Sequence, residues 1–236
     1  MKKIITLFLL MSLTCFGYIS VDPVTFDKRI DNEDGTQTFY LSNITKNKLA
    51  YRVYVEPADN GNDMSKWIDF YPRSLKIDTG EIGEIRVQIE APKGTKEGEY
   101  TANLVIKEIE DVSQRKDKKS AVKIYTELKM EIAGYVGDKN PDFIIKDFKI
   151  NKNGISGTIE NIGDIRRSVE LYLSDGKNEE LDIYLGSTRV LAGKSKDLKD
   201  FKVPKNKLEA ITKEYNQIKI RDKKTDKIIK LQNIKG

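Results

Sequence analysis

Ala121-Val122-Lys123-Ile124-Tyr125-Thr126-Glu127-Leu128-Lys129-Met130-Glu131-Ile132 is the stretch that decides the fold. Val122, Ile124, Thr126, Leu128, Met130 and Ile132 take every second place, and Lys123, Tyr125, Glu127, Lys129 and Glu131 fill the places between. A period of two is that of a strand with one apolar face. Upstream, shorter segments repeat the pattern: Thr36 to Asn43 around Phe39 and Leu41, and Ala50 to Val55 with Tyr51, Val53 and Val55 on one face. Ser74 to Ile77, Glu84 to Glu90 (Ile85, Val87, Ile89) and Glu99 to Ile109 (Tyr100, Leu104, Ile106) follow. Gly, Asn, Asp and Pro clusters separate them.

About seven strands in about 120 residues predict a β-sandwich of immunoglobulin type. Gly134 to Pro141 reads as a hinge. Strand patterns then resume at Phe143 to Ile150, before the hairpin signal Asn153-Gly154, and at Ile155 to Glu160, Val169 to Leu173, Leu181 to Leu185, Val190-Leu191, Gln217 to Ile220 and Lys227 to Leu231. Leu208, Ile211 and Tyr215 share a face, which predicts a short helix over 206–215. The expected fold is all-β, with two immunoglobulin-like sandwich domains, 18–137 and 141–236, joined by a short hinge. No clear sequence repeat relates the halves.

The chain has 236 residues, one Cys and no His. Met1 to Gly17 reads as a secretory signal: Lys2 and Lys3, then an apolar run from Ile4 to Leu13, then Cys15 and Gly17 at the −3 and −1 positions of a cut before Tyr18. The run is shorter than the roughly 20 residues that span a bilayer. The rival is lipidation at Cys15, whose preceding Ser12-Leu13-Thr14 fits a lipoprotein box poorly. Without residues 1–17 neither thiol nor imidazole remains, so zinc cages, disulfides and Cys-His or Ser-His-Asp sites are excluded. Acidic residues are scattered among turns without a paired motif, so neither catalytic residues nor a cofactor is expected. The export signal predicts a periplasmic location, with no integral membrane segment after it.

Residues 18–140 carry 19 basic and 22 acidic side chains, and residues 141–236 carry 21 and 15. The basic second half reads as a Lys-rich solvated face, because acidic residues interleave and no aromatic-basic platform for nucleic acid appears. Asp59 to Asp63 lacks the closing Glu of a calcium loop, since that place holds Trp67, and is read as a turn rather than a metal site. Trp67, Phe70 and Tyr71 are expected in core or corner packing. Glu110 to Ser120, with Arg115, Lys116, Lys118 and Lys119, reads as a solvated hairpin tip.

Ile19-Ser20-Val21-Asp22-Pro23, Phe39-Tyr40-Leu41-Ser42-Asn43, Tyr51-Arg52-Val53-Tyr54-Val55, Pro72 to Gly80, Glu84-Ile85-Arg86-Val87 and Gly98 to Leu104 follow one another at a recognisable spacing. With the strand at 122–132, they resemble the N-terminal domain of the periplasmic pilus-assembly chaperones, the immunoglobulin-like chaperones of chaperone–usher systems. Ile159-Glu160-Asn161-Ile162-Gly163, Val169-Glu170-Leu171 and Val190 to Ser195 resemble that family's C-terminal domain. The resemblance implies an exported chaperone that binds pilin-like subunits, and hands them to an outer-membrane usher, in fimbrium biogenesis and cell wall organization. It also implies a basic pair that holds a subunit's terminal carboxylate. Lys129 stands where one member is expected. Its first-strand partner falls near Thr25, which is not basic, so Lys28 and Arg29 are the candidates at a shifted register.

Two readings of the 122–132 strand stay open. Its apolar face packs inside its own sandwich, or Val122, Ile124, Leu128 and Met130 complete a subunit that lacks a strand, by donor-strand complementation. Three to four such side chains would give on the order of 5–12 kcal/mol gross, less the cost of ordering and association. The alternative function is a structural or adhesive immunoglobulin-like surface protein, which would bury that strand internally.

Overall fold

The computed structural model describes residues 19–59, 61–110, 124–151, 154–202 and 215–234. The signal at 1–17, Val122 and nearly all of the charged loop and expected helix lie outside them. The described chain is all-β, in two sandwich-like units. Unit one comprises residues 1–95 and 100–134, and unit two 96–99 and 135–236.

Unit one holds β1 (Ser20–Asp22), β2 (Asp27–Arg29), β3 (Thr36–Ser42), β4 (Leu49–Pro57), β5 (Asn62–Asp63), β6 (Ile68–Tyr71), β7 (Ser74–Ile77), β8 (Ile82–Ile89), β9 (Gly98–Ile109) and β10 (Glu127–Val136), the last two crossing the unit boundary. One sheet runs β1-β3-β8-β6 and the other β2-β10-β9-β4-β7, with β5 beside β9. Period-two alternation does the packing. Phe39, Leu41, Ile85, Val87 and Ile89 of the first sheet are buried, as are Tyr51, Val53, Leu104, Ile106, Met130 and Ile132 of the second. Strand β9 is buried on both faces from Thr101 to Ile106. The 3-10 turn Ser65–Trp67 lies nearby: Met64 N–H donates to Thr101 O at 3.1 Å, and the Trp67 and Tyr100 rings lie 4.7 Å apart. Of the predicted aromatic trio, Phe70 is buried and Trp67 half-buried, but Tyr71 faces solvent on the outward side of an edge strand.

Unit two holds β11 (Phe143–Asn151), β12 (Gly154–Asn161), β13 (Arg167–Ser174), β14 (Ile183–Val190), β15 (Ser195–Asp197), β16 (Gln217–Asp222) and β17 (Ile228–Asn233). Its sheets run β11-β12-β15 and β14-β13-β16-β17 around a core that includes Phe143, Ile159, Leu171 and Ile220. Asn151 pairs with Gly154, so β11 and β12 form a hairpin; Gly154 of the predicted Asn153-Gly154 signal stands in the ladder rather than in the turn, and Asn153 lies outside the described residues. The amide of Gln232 closes the seam between sheets like a short piece of strand, accepting from Ile145 N–H (2.8 Å) and donating to Ile145 O (2.6 Å). Two expected segments merge: Leu181 sits in a 3-10 turn, and a single strand runs from Ile183 to Val190.

The stretch read as a hinge opens inside a strand. Gly134 is inside β10, where Ile30 side-chain atoms lie 2.6 Å from the place a Cβ would take. This glycine allows close packing rather than a bend.

Both units contain the same buried corner. Asn43 directly follows β3 and is 1% exposed. Its Nδ2 donates to Asn47 O (2.8 Å) and Ile77 O (3.0 Å), and its Oδ1 accepts from Thr45 N–H (2.9 Å). Asn161 ends β12, is fully buried, and donates to Ile165 O (2.8 Å) and Val190 O (3.1 Å) while accepting from Gly163 N–H (3.0 Å). The backbone repeats too. Gly80 N–H donates to Asn43 O and Gly193 N–H to Asn161 O, both glycines having positive φ (78° and 65°). Replacing Asn43 or Asn161 by Ala strands buried carbonyls and amides, at a cost of about 2–4 kcal/mol each. Urea unfolding checks this, and an unchanged midpoint refutes it.

Tyr51 is 1% exposed, and its hydroxyl has no hydrogen-bond partner among the described residues. Burial first, and the nearby Glu108 charge second, push its phenol up to about 12. The raised folded value means that its contribution to stability is present below about pH 10, the ordinary tyrosine value. It is lost as pH rises from there through the folded value. In Tyr51→Phe, denaturation midpoints measured from pH 9 to 12 should lose part of the alkaline fall, with little cost at neutral pH.

Candidate functional site

β10 has two neighbours, β9 on one side and β2 on the other. The two differ in length. β10 has ten residues and β2 three, or about 33 Å against about 10 Å of strand. Ala133 N–H donates to Phe26 O at 2.9 Å, which places β2 near the C-terminal half of β10. Among the described residues, no other strand lies along that outer edge. β2 is three residues long against the ten of β10, so among the described residues most of that outer edge runs beside no assigned strand, and an edge of that form pairs with an added strand.

The side chains divide along the strand. Ile132 is fully buried and Met130 7% exposed, so both belong to the core of unit one. Leu128 is half-buried. Ile124 is 84% exposed and Tyr125 43%. β10 begins at Glu127, Ala121 to Lys123 lie outside the described residues, and Thr126 precedes the strand, tied to Glu108 by Glu108 N–H to Thr126 O (2.8 Å) and Thr126 N–H to Glu108 Oε2 (3.1 Å). The predicted apolar row thus runs from exposed at Ile124 to buried at Ile132.

The other face is charged. Lys129 Nζ lies 3.3 Å from Glu56 Oε2 of β4, and Lys107 Nζ of β9 lies 2.8 Å from Glu127 Oε2. The hydrogen bond and charge of Glu127 hold the Lys107 ammonium above the usual lysine value. The candidate anchors on β2 are engaged locally. Lys28 Nζ donates to Thr36 O at 2.5 Å, and Arg29 forks onto Asp31 with bonds of 2.6 and 3.1 Å. The structure therefore shows Lys129, Lys28 and Arg29 each holding an intramolecular acceptor.

No protein-family model matches the chain, and no curated protein does. Among solved structures it is similar to pilus chaperones over about nine-tenths of its length. The YadV chaperone is 10% identical, covering 92% of this chain and 100% of its own, with a TM-score of 0.49. The E. coli chaperone DraB is 10% identical over 92% and 95%, with a TM-score of 0.49. A chain from the Salmonella enterica SafA pilin in complex with the SafB chaperone is 11% identical over 89% and 91%, with a TM-score of 0.47.

Both members of the Lys129–Glu56 pair are more than two-fifths exposed. Exposed pairs contribute at most about 1 kcal/mol. Lys129→Gln should therefore leave the urea midpoint nearly unchanged, and a large drop would show that the pair is structural.

Proposed function

We propose that this protein is an exported, non-enzymatic chaperone that holds pilin-like subunits by donor-strand complementation through β10. The observation that carries the reading is the mismatch between β10 and β2. It leaves an open backbone edge on the strand whose apolar row emerges from the core at Leu128 and Ile124. Added strands gain affinity from main-chain bonds and specificity from alternate side chains. Val122, Ile124 and Leu128 enter the subunit's groove, and Met130, buried at home, forms the inner end of the row. Because Met130 is already buried, three side chains remain and the gross apolar gain falls to about 5–9 kcal/mol. That range suits a complex that must later release its subunit.

Lys129 receives the subunit's terminal carboxylate in place of Glu56, with Lys28 or Arg29 as the second cation. Each of these would first give up its present acceptor. The subunit then passes to an outer-membrane usher from the periplasm.

The test is co-expression with a pilin-like subunit from the same source and recovery of the pair by affinity purification. Ile124→Glu/Leu128→Glu should fold, because neither position is buried, and should lose the subunit by at least about tenfold. A folded double variant that still captures its subunit overturns the reading. A wild-type protein that recovers no subunit favours the structural or adhesive alternative.

A further inference from the structure

The outward face of the β14-β13-β16-β17 sheet carries a cavity of about 200 Å³, lined by Tyr172, Glu179, Asp182, Lys219, Arg221 and Asp226, with Ile228. We propose that this cavity is a binding site for a single neutral saccharide ring. The proposal is independent of the chaperone reading, since every residue in it belongs to unit two.

Strand register builds the cavity. Tyr172 on β13 stands between Tyr184 on β14 and Lys219 on β16, and Glu170 stands opposite Arg221. The Tyr172 and Tyr184 rings lie 5.3 Å apart, and the Arg221 guanidinium lies 6.0 Å from the Tyr172 ring centre. The Tyr172 hydroxyl donates to Glu170 Oε2 at 2.8 Å, which fixes the ring. Glu179 and Asp182 arrive from the 3-10 turn beside β14. Asn178 caps that turn by accepting from Glu180 N–H, and Tyr215 steadies it by donating to Leu181 O at 2.9 Å.

The hydrogen-bonding inventory is incomplete in one direction. The Lys219 side chain is 7% exposed, and its ammonium donates to Glu179 Oε1 (2.9 Å) and Asp182 Oδ2 (2.5 Å). The Asp182 side chain is 8% exposed, and its second oxygen, Oδ1, has no hydrogen-bond partner among the described residues. A buried carboxylate oxygen without a donor is unfavourable; Oδ1 is shut off from solvent as it stands, so the Asp182 carboxylate gains by turning toward a donor that enters the cavity it lines.

Charge narrows the class of ligand. An anion would meet Glu179, Asp182 and Asp226. A cation would meet Lys219 and Arg221. A hydroxyl suits both signs, since it donates to a carboxylate and accepts from an ammonium. A pyranose adds a C–H face for the tyrosine ring and Ile228. The cavity volume is below the roughly 300–1,000 Å³ of sites for drug-sized ligands, which fits one ring rather than a chain.

The test is an amide NMR titration of the whole protein with methyl glucoside, methyl galactoside and N-acetylglucosamine, using glucosamine and glucuronic acid as charged controls. Saturable shifts are expected at Tyr172, Asp182, Lys219 and Arg221 for at least one neutral sugar, with a Kd on the order of millimolar. Tyr172→Leu and Asp182→Asn should each weaken them at least about tenfold. If Asp182→Asn does not fold, as loss of a Lys219 partner could cause, Tyr172→Leu decides. No saturable shift with any neutral sugar, stronger binding of a charged control, or shifts unaffected by Tyr172→Leu overturns the proposal.

Discussion

A single buried amide holds the corner of each sandwich. β7 belongs to one sheet of unit one and β8 to the other, so the chain must cross between sheets at residues 78–81. β14 and β15 require the same crossing at 191–194. A crossing leaves backbone groups that neither ladder pairs, and the carbonyls of Ile77 and Val190, where the two crossings start, belong to buried residues. Asn43 and Asn161 satisfy them with one side chain each, as donor and acceptor at once. Only Asn combines both functions at that reach; Asp lacks the donor, and Gln adds a methylene. The glycines at 80 and 193 supply the left-handed turn that points an N–H back at the same asparagine.

The alternating segments were legible because period two survives any tertiary context that buries one face. Ile85, Val87 and Ile89 were placed correctly for that reason, and so was the 126–132 alternation. The Asn corners were not legible as a repeat. Their bonds join residues 34 and 29 positions apart, and the side chains around them differ. Gly134 was misread because glycine marks a bend and a tight packing site alike, and only the Ile30 side chain decides between them. The cavity on the β13 face was also beyond the sequence. Tyr172, Asp182 and Lys219 are spread over three elements, and their meeting depends on a register that no local pattern encodes.

The apolar row that leads into β10 divides into a covered and an uncovered part. The core claims Met130 and Ile132, while Ile124 stands clear. The change occurs within one apolar row, so it comes from coverage rather than composition. The opposing sheet and β2 cover the C-terminal half, and the N-terminal half runs past the three residues of β2.

An open edge of this kind invites self-association as readily as it invites a specific partner. Charge opposes that outcome. Lys129 with Glu56, and Lys107 with Glu127, cover the outward face beside the open half. A second copy approaching in register would bring like charges against one another and bury ion pairs that are now solvated, at a desolvation cost that exposed pairing cannot return. In the proposed complex, a partner with a complementary groove and a free carboxylate would escape that cost by exchanging one acceptor for another at Lys129. On the proposed reading the charges would select among strand partners, while the apolar row and the backbone would supply most of the attraction.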